Sequence, residues 1–213
     1  SPRRRAQLLA LRPDLRFVDL RGNIDTRLRK LADGACDALV LAAAGLDRLN
    51  RTEWVRQRFS FDQICPAPGQ GALALETRAV GFAASADPAR DDHIRQAVAS
   101  LDHPAARFSV EAERAVLGAL GGGCQLAVGV HCAAIRNADA ISIGEAVTAA
   151  GWHIQAQVLS PGGKRTIWVA KDAPAGVDAL ALGLGVAEEL ISRGALDLLG
   201  NPDGASLASV LSH

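Results

Sequence analysis

The sequence contains no methionine and only three lysines, Lys30, Lys164 and Lys171, against twenty arginines. It has no apolar run near the roughly 18 residues that a membrane helix needs, which excludes a helical membrane span. The basic start, Ser1 to Arg5, leads into an amphipathic stretch rather than an apolar signal core, so no export signal is read there. The four cysteines, Cys36, Cys65, Cys124 and Cys132, form no Cys-x-x-Cys pair and have no histidine at zinc spacing. Neither a zinc module nor a disulfide scaffold is expected, and the reading is a reduced, cytoplasmic setting. The five histidines are scattered, so no metal site is expected. Neither G-x-x-x-x-G-K nor G-x-G-x-x-G occurs, which argues against the phosphate and dinucleotide loops those patterns build.

What is present is an ordinary globular composition, 49% hydrophobic and 22% charged, in a length sufficient for one large or two small domains. The net charge of zero hides a gradient. Residues 1–58 hold 13 Lys or Arg against 7 Asp or Glu, and the remainder has the opposite excess. Arginine presents a planar fork that binds carboxylate or phosphate through two bonds, so an arginine-rich half suits an anionic partner. Nucleic acid fits less well. Lysine is scarce, and the same half offers only Phe17 and Trp54 for stacking on bases.

Hydrophobic spacing and breakers predict helices over 3–11, stopped by Pro13, over 24–33, ended by Gly34, and over 43–50. Strands are expected at 16–20 and 37–42, their alternation with the helices implying a parallel sheet flanked by helices, and a further strand is expected at 72–77. The stretch Cys65-Pro66-Ala67-Pro68-Gly69-Gln70-Gly71 breaks the pattern. Its Gly-Gln-Gly reads equally as a hinge or as a tight turn. Helices follow at 90–101 and from 104 to about 120. Short strands at 127–135, 140–149, 152–159 and 165–171 and a helix over 177–193 then predict an α+β unit, its antiparallel sheet covered on one face. Residues 201–213 read as a loose tail.

Two features point to chemistry. Arg3 and Arg4 open the first helix beside free backbone N–H groups, a setting that favours an anion. Arg21 ends an expected strand, Arg27 lies in the next helix, and Arg48 follows the 37–42 strand, all where an open parallel sheet forms its ligand crevice. Each alone also reads as a solvated surface arginine; the shared edge is what points to a cleft. The second feature is Gly121-Gly122-Gly123-Cys124-Gln125. It reads either as a helix cap followed by an inert cysteine or as a loop that exposes the Cys124 thiol.

Ser1-Pro2-Arg3-Arg4-Arg5-Ala6-Gln7-Leu8, Leu20-Arg21-Gly22-Asn23 with Thr26-Arg27-Leu28, and Asp37 to Ala42 with Ala44-Gly45-Leu46 resemble the second domain of hydroxymethylbilane synthases (porphobilinogen deaminases). Pro68-Gly69-Gln70-Gly71-Ala72 does so too, and Glu113-Arg114 followed by Gly121 to Gln125 is similar to that family's cofactor loop. The resemblance runs in family order over residues 1 to about 195. It implies an α/β fold: a periplasmic-binding-protein-like parallel-sheet domain followed by a small α+β domain with an antiparallel sheet. The implied division is a partial second domain with the arginine-lined cleft at 1–71, a segment crossing back to an N-terminal domain at 72–103, and the cofactor-carrying domain at 104–213.

The resemblance also implies a transferase of tetrapyrrole biosynthesis that joins four porphobilinogen units with loss of ammonia. Cys124 would hold a dipyrromethane cofactor through a thioether. Ser1, Arg3, Arg4, Arg21, Arg27 and Arg48 would bind the carboxylates of cofactor and growing oligopyrrole, and Gln70 and Gly71 would line the cleft. No catalytic residue is assigned within the chain: the family's catalytic aspartate belongs to a domain preceding Ser1. The expectation is therefore a piece of a longer protein, inactive alone and monomeric when whole, with no nucleic-acid or membrane partner. A non-enzymatic carboxylate-binding module is the alternative, and it leaves Cys124 without a role.

Overall fold

The computed structural model describes residues 1–81, 86–123, 126–135 and 150–200. The C-terminal half is built on alternation of period two. Strand β1 (Val128–Ile135) pairs antiparallel with β2 (Gly151–Leu159), and β2 with β3 (Thr166–Pro174). The register sets Val130 opposite Ala156, and Ala156 opposite Val169. Side chains two apart share a face, so Val128, Val130, Cys132, Trp152, Ile154, Ala156, Val158 and Val169 form one apolar surface.

Helices α5 (Pro104–Ala119) and α6 (Ala179–Ser192) cover that surface with Ala112, Val116, Ala119, Leu182, Val186 and Leu190. Each helix starts where a side chain satisfies a free N–H. His103 Nδ1 accepts from the Ala106 amide at 3.2 Å, and Asp178 Oδ1 from the Ala181 amide at 2.9 Å. A short helix α7 (Ala195–Leu199) adds Ala195 and Leu198 to the core.

The opposite face carries His153, Gln155, Gln157 and Leu159 of β2, and it is covered as well. Helix α1 (Pro2–Leu11) lies there, with Ala6 packed on Ala127 and Leu159. Gly163, in the β2–β3 turn with φ 70°, sits so close to α1 that a Cβ would fall 2.4 Å from the Ala6 carbonyl oxygen. One covered face was the expectation. The second is covered because its glutamines find main-chain and side-chain partners in the first half of the chain, described below.

Helices α2 (Ile24–Ala32) and α3 (Ala43–Arg48) form as expected. The expected strands at 16–20, 37–42 and 72–77 run without ladder partners, and β1–β3 is the only sheet among the described residues. A strand needs a neighbour for its N–H and C=O groups, and none lies beside these segments. Several of their apolar side chains stand in solvent: Val18 is 61% exposed, Leu73 80% and Leu75 60%, whereas Leu39, Val40 and Leu41 are half-buried. The expected strand at 140–149 and the tail at 201–213 lie outside the described residues.

Helix α4 (Pro88–Ala99) is capped by Asp87 and buries only Asp91. With so little apolar contact, amides of 72–77 and α4 should exchange at least about a hundredfold faster than those of β2. Exchange–mass spectrometry checks this; protection equal to β2 would show that the segment is packed. No helix among the described residues is long and apolar enough to cross a membrane.

Candidate functional site

Ser1 precedes α1 as its N-cap residue and Pro2 occupies the first turn, where a missing N–H costs nothing. Arg3, Arg4 and Gln7 then share one side of the helix, being three and four residues apart. Arg3 Nε donates to the carbonyl of Val128, the first residue of β1. Arg4 Nη1 donates to the Val40 carbonyl at 3.2 Å. The start of α1 thus ties the 37–42 segment to the sheet.

Arg4 is half-buried, and burial together with the charge of Arg27 pulls its pKa below the usual guanidinium value. Arg27 is placed by the turn before α2. Asn23 caps that helix by accepting from the Thr26 amide at 2.9 Å, and Gly22, at φ 126°, lets the chain turn where a Cβ would meet the Thr26 side chain at 2.7 Å. Arg27 Nε donates back to the Gly22 carbonyl at 2.8 Å, and Lys30 donates to the Arg21 carbonyl at 3.2 Å. None of Arg4, Arg21, Arg27 and Arg48 has an acidic partner among the described residues, whereas Arg12, Arg58 and Arg107 are paired with Asp14, Asp47 and Asp102.

Arg3, Arg4 and Arg27 are therefore brought together. Arg21 precedes the Gly22 turn, its carbonyl accepting from Lys30. Arg48 is exposed at the end of α3, and Gln70 and Gly71 are exposed in a turn closed by the Gln70 amide on the Ala67 carbonyl at 3.0 Å. No hydrogen bond or ion pair joins these three to the arginine group among the described residues. Cys124 lies outside the described residues. The glycines before it explain themselves: Gly121, Gly122 and Gly123 have φ of 95°, 66° and 109°, in the left-handed region that side chains resist. They end α5, with the Gly122 amide bonded to the Leu117 carbonyl at 2.9 Å.

Four polar side chains given no role by the sequence are buried: Gln7 and Glu113, which stand in the motifs above, and Gln155 and Gln157. Glu113 sits on the core side of α5. Its two oxygens accept from the Gly69 amide at 2.6 Å and the Cys132 amide at 2.8 Å, pinning the Pro-Gly turn to the edge of β1. Gln155 Nε2 donates to the Phe61 carbonyl at 2.8 Å, and the Phe61 ring packs against His131, tilted by 33° with centroids 3.8 Å apart. A signal was available: Glu113 follows a buried alanine on the apolar stripe of α5, and Gln155 and Gln157 alternate with the core residues of β2. A hollow of about 530 Å³ beside Phe61, His131 and His153 is lined by none of the expected site residues.

Comparison with known proteins decides what this arrangement belongs to. Residues 1–84 match the family model described as the porphobilinogen deaminase dipyromethane cofactor binding domain, and residues 107–192 match that of the porphobilinogen deaminase C-terminal domain. The chain belongs to the porphobilinogen deaminase family. It is 41% identical to the porphobilinogen deaminase of Brevibacillus brevis over 199 residues, covering 93% of this chain and 56% of that protein. It is 43% identical to that of Acidothermus cellulolyticus over 206 residues (95% and 55%) and 50% identical to that of Roseiflexus castenholzii over 129 residues (61% and 39%). The chain spans about half the length of the curated relatives it matches.

Several contacts described above join the two matched porphobilinogen deaminase regions: Arg3 reaches from the first to Val128 in the second, and Glu113 and Gln155 reach from the second to Gly69 and Phe61 in the first. The donor set fits a carboxylate-bearing cofactor. Arg4 and Arg27 are close enough to depress Arg4's pKa, and among the described residues both are bonded only to neutral carbonyls. That leaves positive charge which anionic oxygens would neutralise.

Proposed function

We propose that this chain is the cofactor-bearing part of a hydroxymethylbilane synthase. Cys124 holds a dipyrromethane through a thioether, and Arg3, Arg4, Arg21, Arg27 and Arg48, with Ser1, bind the carboxylates of the cofactor and of the growing oligopyrrole. Gln70 and Gly71 border the same cleft. The observation that carries the reading is the juxtaposition of Arg4 with Arg27, without an acidic partner among the described residues, Arg4 lying next to Arg3, which is bonded to Val128, four residues beyond Cys124 in the chain.

The dipyrromethane supplies the primer pyrrole to which new units are joined. Each of four rounds breaks the C–N bond of a porphobilinogen aminomethyl group, releases ammonia and forms one carbon–carbon bond. Every added unit brings two carboxylates, so a cleft dense in arginine holds the lengthening product and shields its charge. The proton chemistry at the amine belongs to an aspartate of a preceding domain, and the 213-residue chain by itself does not turn over porphobilinogen. Segments 16–20 and 37–42 are strands of a periplasmic-binding-protein-like parallel sheet, and 72–77 is a strand whose sheet partners lie in the preceding domain. The exposure of Leu73 and Leu75 supports this, and 72–103 is the crossing segment between the domain at 1–71 and that at 104–213.

The test is the intact mass of the denatured chain after exposure to hydroxymethylbilane. An adduct is expected in the native chain, mapped to Cys124, and none in Cys124→Ser. A native chain that stays bare yet binds small polycarboxylates reversibly, with Cys124→Ser binding equally well, would instead establish a non-enzymatic carboxylate-binding module.

A further inference from the structure

Gln7 is 2% exposed, buried between α1 and the outer face of the sheet. Its Oε1 accepts from the Cys65 amide at 2.6 Å and from Gln157 Nε2 at 2.5 Å, while its Nε2 donates to the Cys65 carbonyl at 3.0 Å. The two bonds to Cys65 reproduce one rung of an antiparallel bridge, with a side-chain amide in place of a strand residue. Cys65 is itself held against the sheet. A Cβ on Gly129 would fall 2.8 Å from Cys65 Cβ, and the next carbonyl, Pro66, accepts from the Val130 amide at 3.0 Å. Helix α1, the 65–66 segment, the edge of β1 and the centre of β2 are thus connected through one amide group.

Volume alone does not require glutamine here, because leucine or methionine fills comparable space. The hydrogen bonds do. An acceptor and a donor on one planar end are what both Cys65 bonds demand, and glutamine supplies them at this reach. Arg3 and Arg4 precede Gln7 by one helical turn on the same side, and Arg3 is bonded to Val128. Rotation of α1 by a fraction of a turn would carry both guanidinium groups away from β1.

We propose that Gln7 is a positioning residue for the arginine end of α1, its amide setting the rotation and depth of the helix that hold Arg3 at the start of β1 and Arg4 beside Arg27. The functional consequence rests on the carboxylate-binding role given to these arginines above; the positioning itself is measured without it. The ionised or ionisable groups acting on this locus are Arg3 of α1, Asp62 of the 59–65 segment, Cys65 itself and Glu113 of α5.

The experiment is protection of the Cys65 amide and the Arg3 Nε–H against hydrogen exchange, read by NMR on the full chain. Gln7→Leu should lower both protection factors by at least about tenfold, the scale of one buried hydrogen bond. Gln7→Glu separates the amide from the space it fills. At about pH 7.5 the introduced carboxylate still accepts from the Cys65 amide but cannot donate to the Cys65 carbonyl, so the helix loses half of its anchor: Arg3 Nε–H protection falls, and Cys65 amide protection falls less than in Gln7→Leu. At about pH 5 the protonated carboxyl donates again, and protection returns toward that of the native chain. Gln7→Leu shows no such return. Unchanged protection in Gln7→Leu, or no pH-dependent return in Gln7→Glu, overturns the proposal. If Gln7→Leu does not fold, the pH return of Gln7→Glu decides alone. Covalent loading of the native chain is scored separately: a bare native chain refutes the role of Cys124 and leaves the Arg3 readout to judge Gln7.

Discussion

Gly183→Ala destabilises the C-terminal unit by about 2–3 kcal/mol, while Gly185→Ala, on the same helix, stabilises it by about 0.5–1 kcal/mol. Helix propensity alone predicts a gain at both positions, since alanine is about 1 kcal/mol better than glycine in a helix interior. Packing decides otherwise at the first. A Cβ on Gly183 would lie 2.3 Å from the Ala112 carbonyl oxygen and 2.6 Å from Ala115 Cβ, both on α5. Neither contact yields by turning a flexible side chain, so α5 and α6 must separate and loosen Val116, Leu182 and Val186 between them. At Gly185 the nearest atom is Lys171 Nζ at 3.9 Å, the mobile end of a long side chain, and the propensity gain survives. Urea unfolding of the two variants, followed by circular dichroism, measures the difference; equal signs would show that the helices do not cross at Gly183.

Glu113→Ala should cost about 2–4 kcal/mol, because it strands the amides of Gly69 and Cys132 at partly and fully buried positions. Burial pushes the Glu113 carboxyl above its ordinary pKa, and the two N–H donors pull it partway back. Its folded pKa therefore stays above the unfolded one. The contribution of this group to stability is fully present below the unfolded value and declines as pH rises through the folded value. Glu113→Gln keeps the shape, leaves one N–H facing an amide NH₂, costs less than the alanine variant and removes this part of the pH dependence. Denaturant midpoints for native and Gln variants across the acid range check the sign. A native curve parallel to that of Glu113→Gln would mean that the carboxyl titrates alike in the folded and unfolded chains. The variant also frees the turn that carries Gln70 and Gly71 from the edge of β1, so turn amides should lose protection together with Cys132.

Local signals account for the elements that were legible in the chain. Asn23, Asp87, His103 and Asp178 each stand where a helix begins, because the cap bond is made within three residues, and Pro2 opens the first helix, where its missing N–H costs nothing. The alternation in β2 and the turn at Pro161-Gly162-Gly163 are also local, and the antiparallel hairpin followed from them. The order of motifs from Arg3-Arg4 to Gly121-Gly122-Gly123 was sufficient for the family, which the comparisons then showed.

The parallel sheet was expected from apolar runs at 16–20 and 37–42, with a further strand at 72–77, and those runs are real. An apolar run specifies that a segment wants burial, but its ladder partners are chosen by the rest of the fold, and none is beside them here. The polar network was the converse case. Gln7, Gln155 and Gln157 resemble solvent-facing residues in the alternation pattern, and each is buried because a main-chain or side-chain group from a distant part of the chain meets it. By itself, then, the sequence determined the helices, the antiparallel strands, the family and the arginine-rich character of the first half, all of which depend on near neighbours or on residue type. Only the tertiary structure decided which arginines stand together, which glycine is a helix crossing, and that Gln7 and Glu113 fasten the two halves, because those facts rest on contacts between residues as many as 150 positions apart.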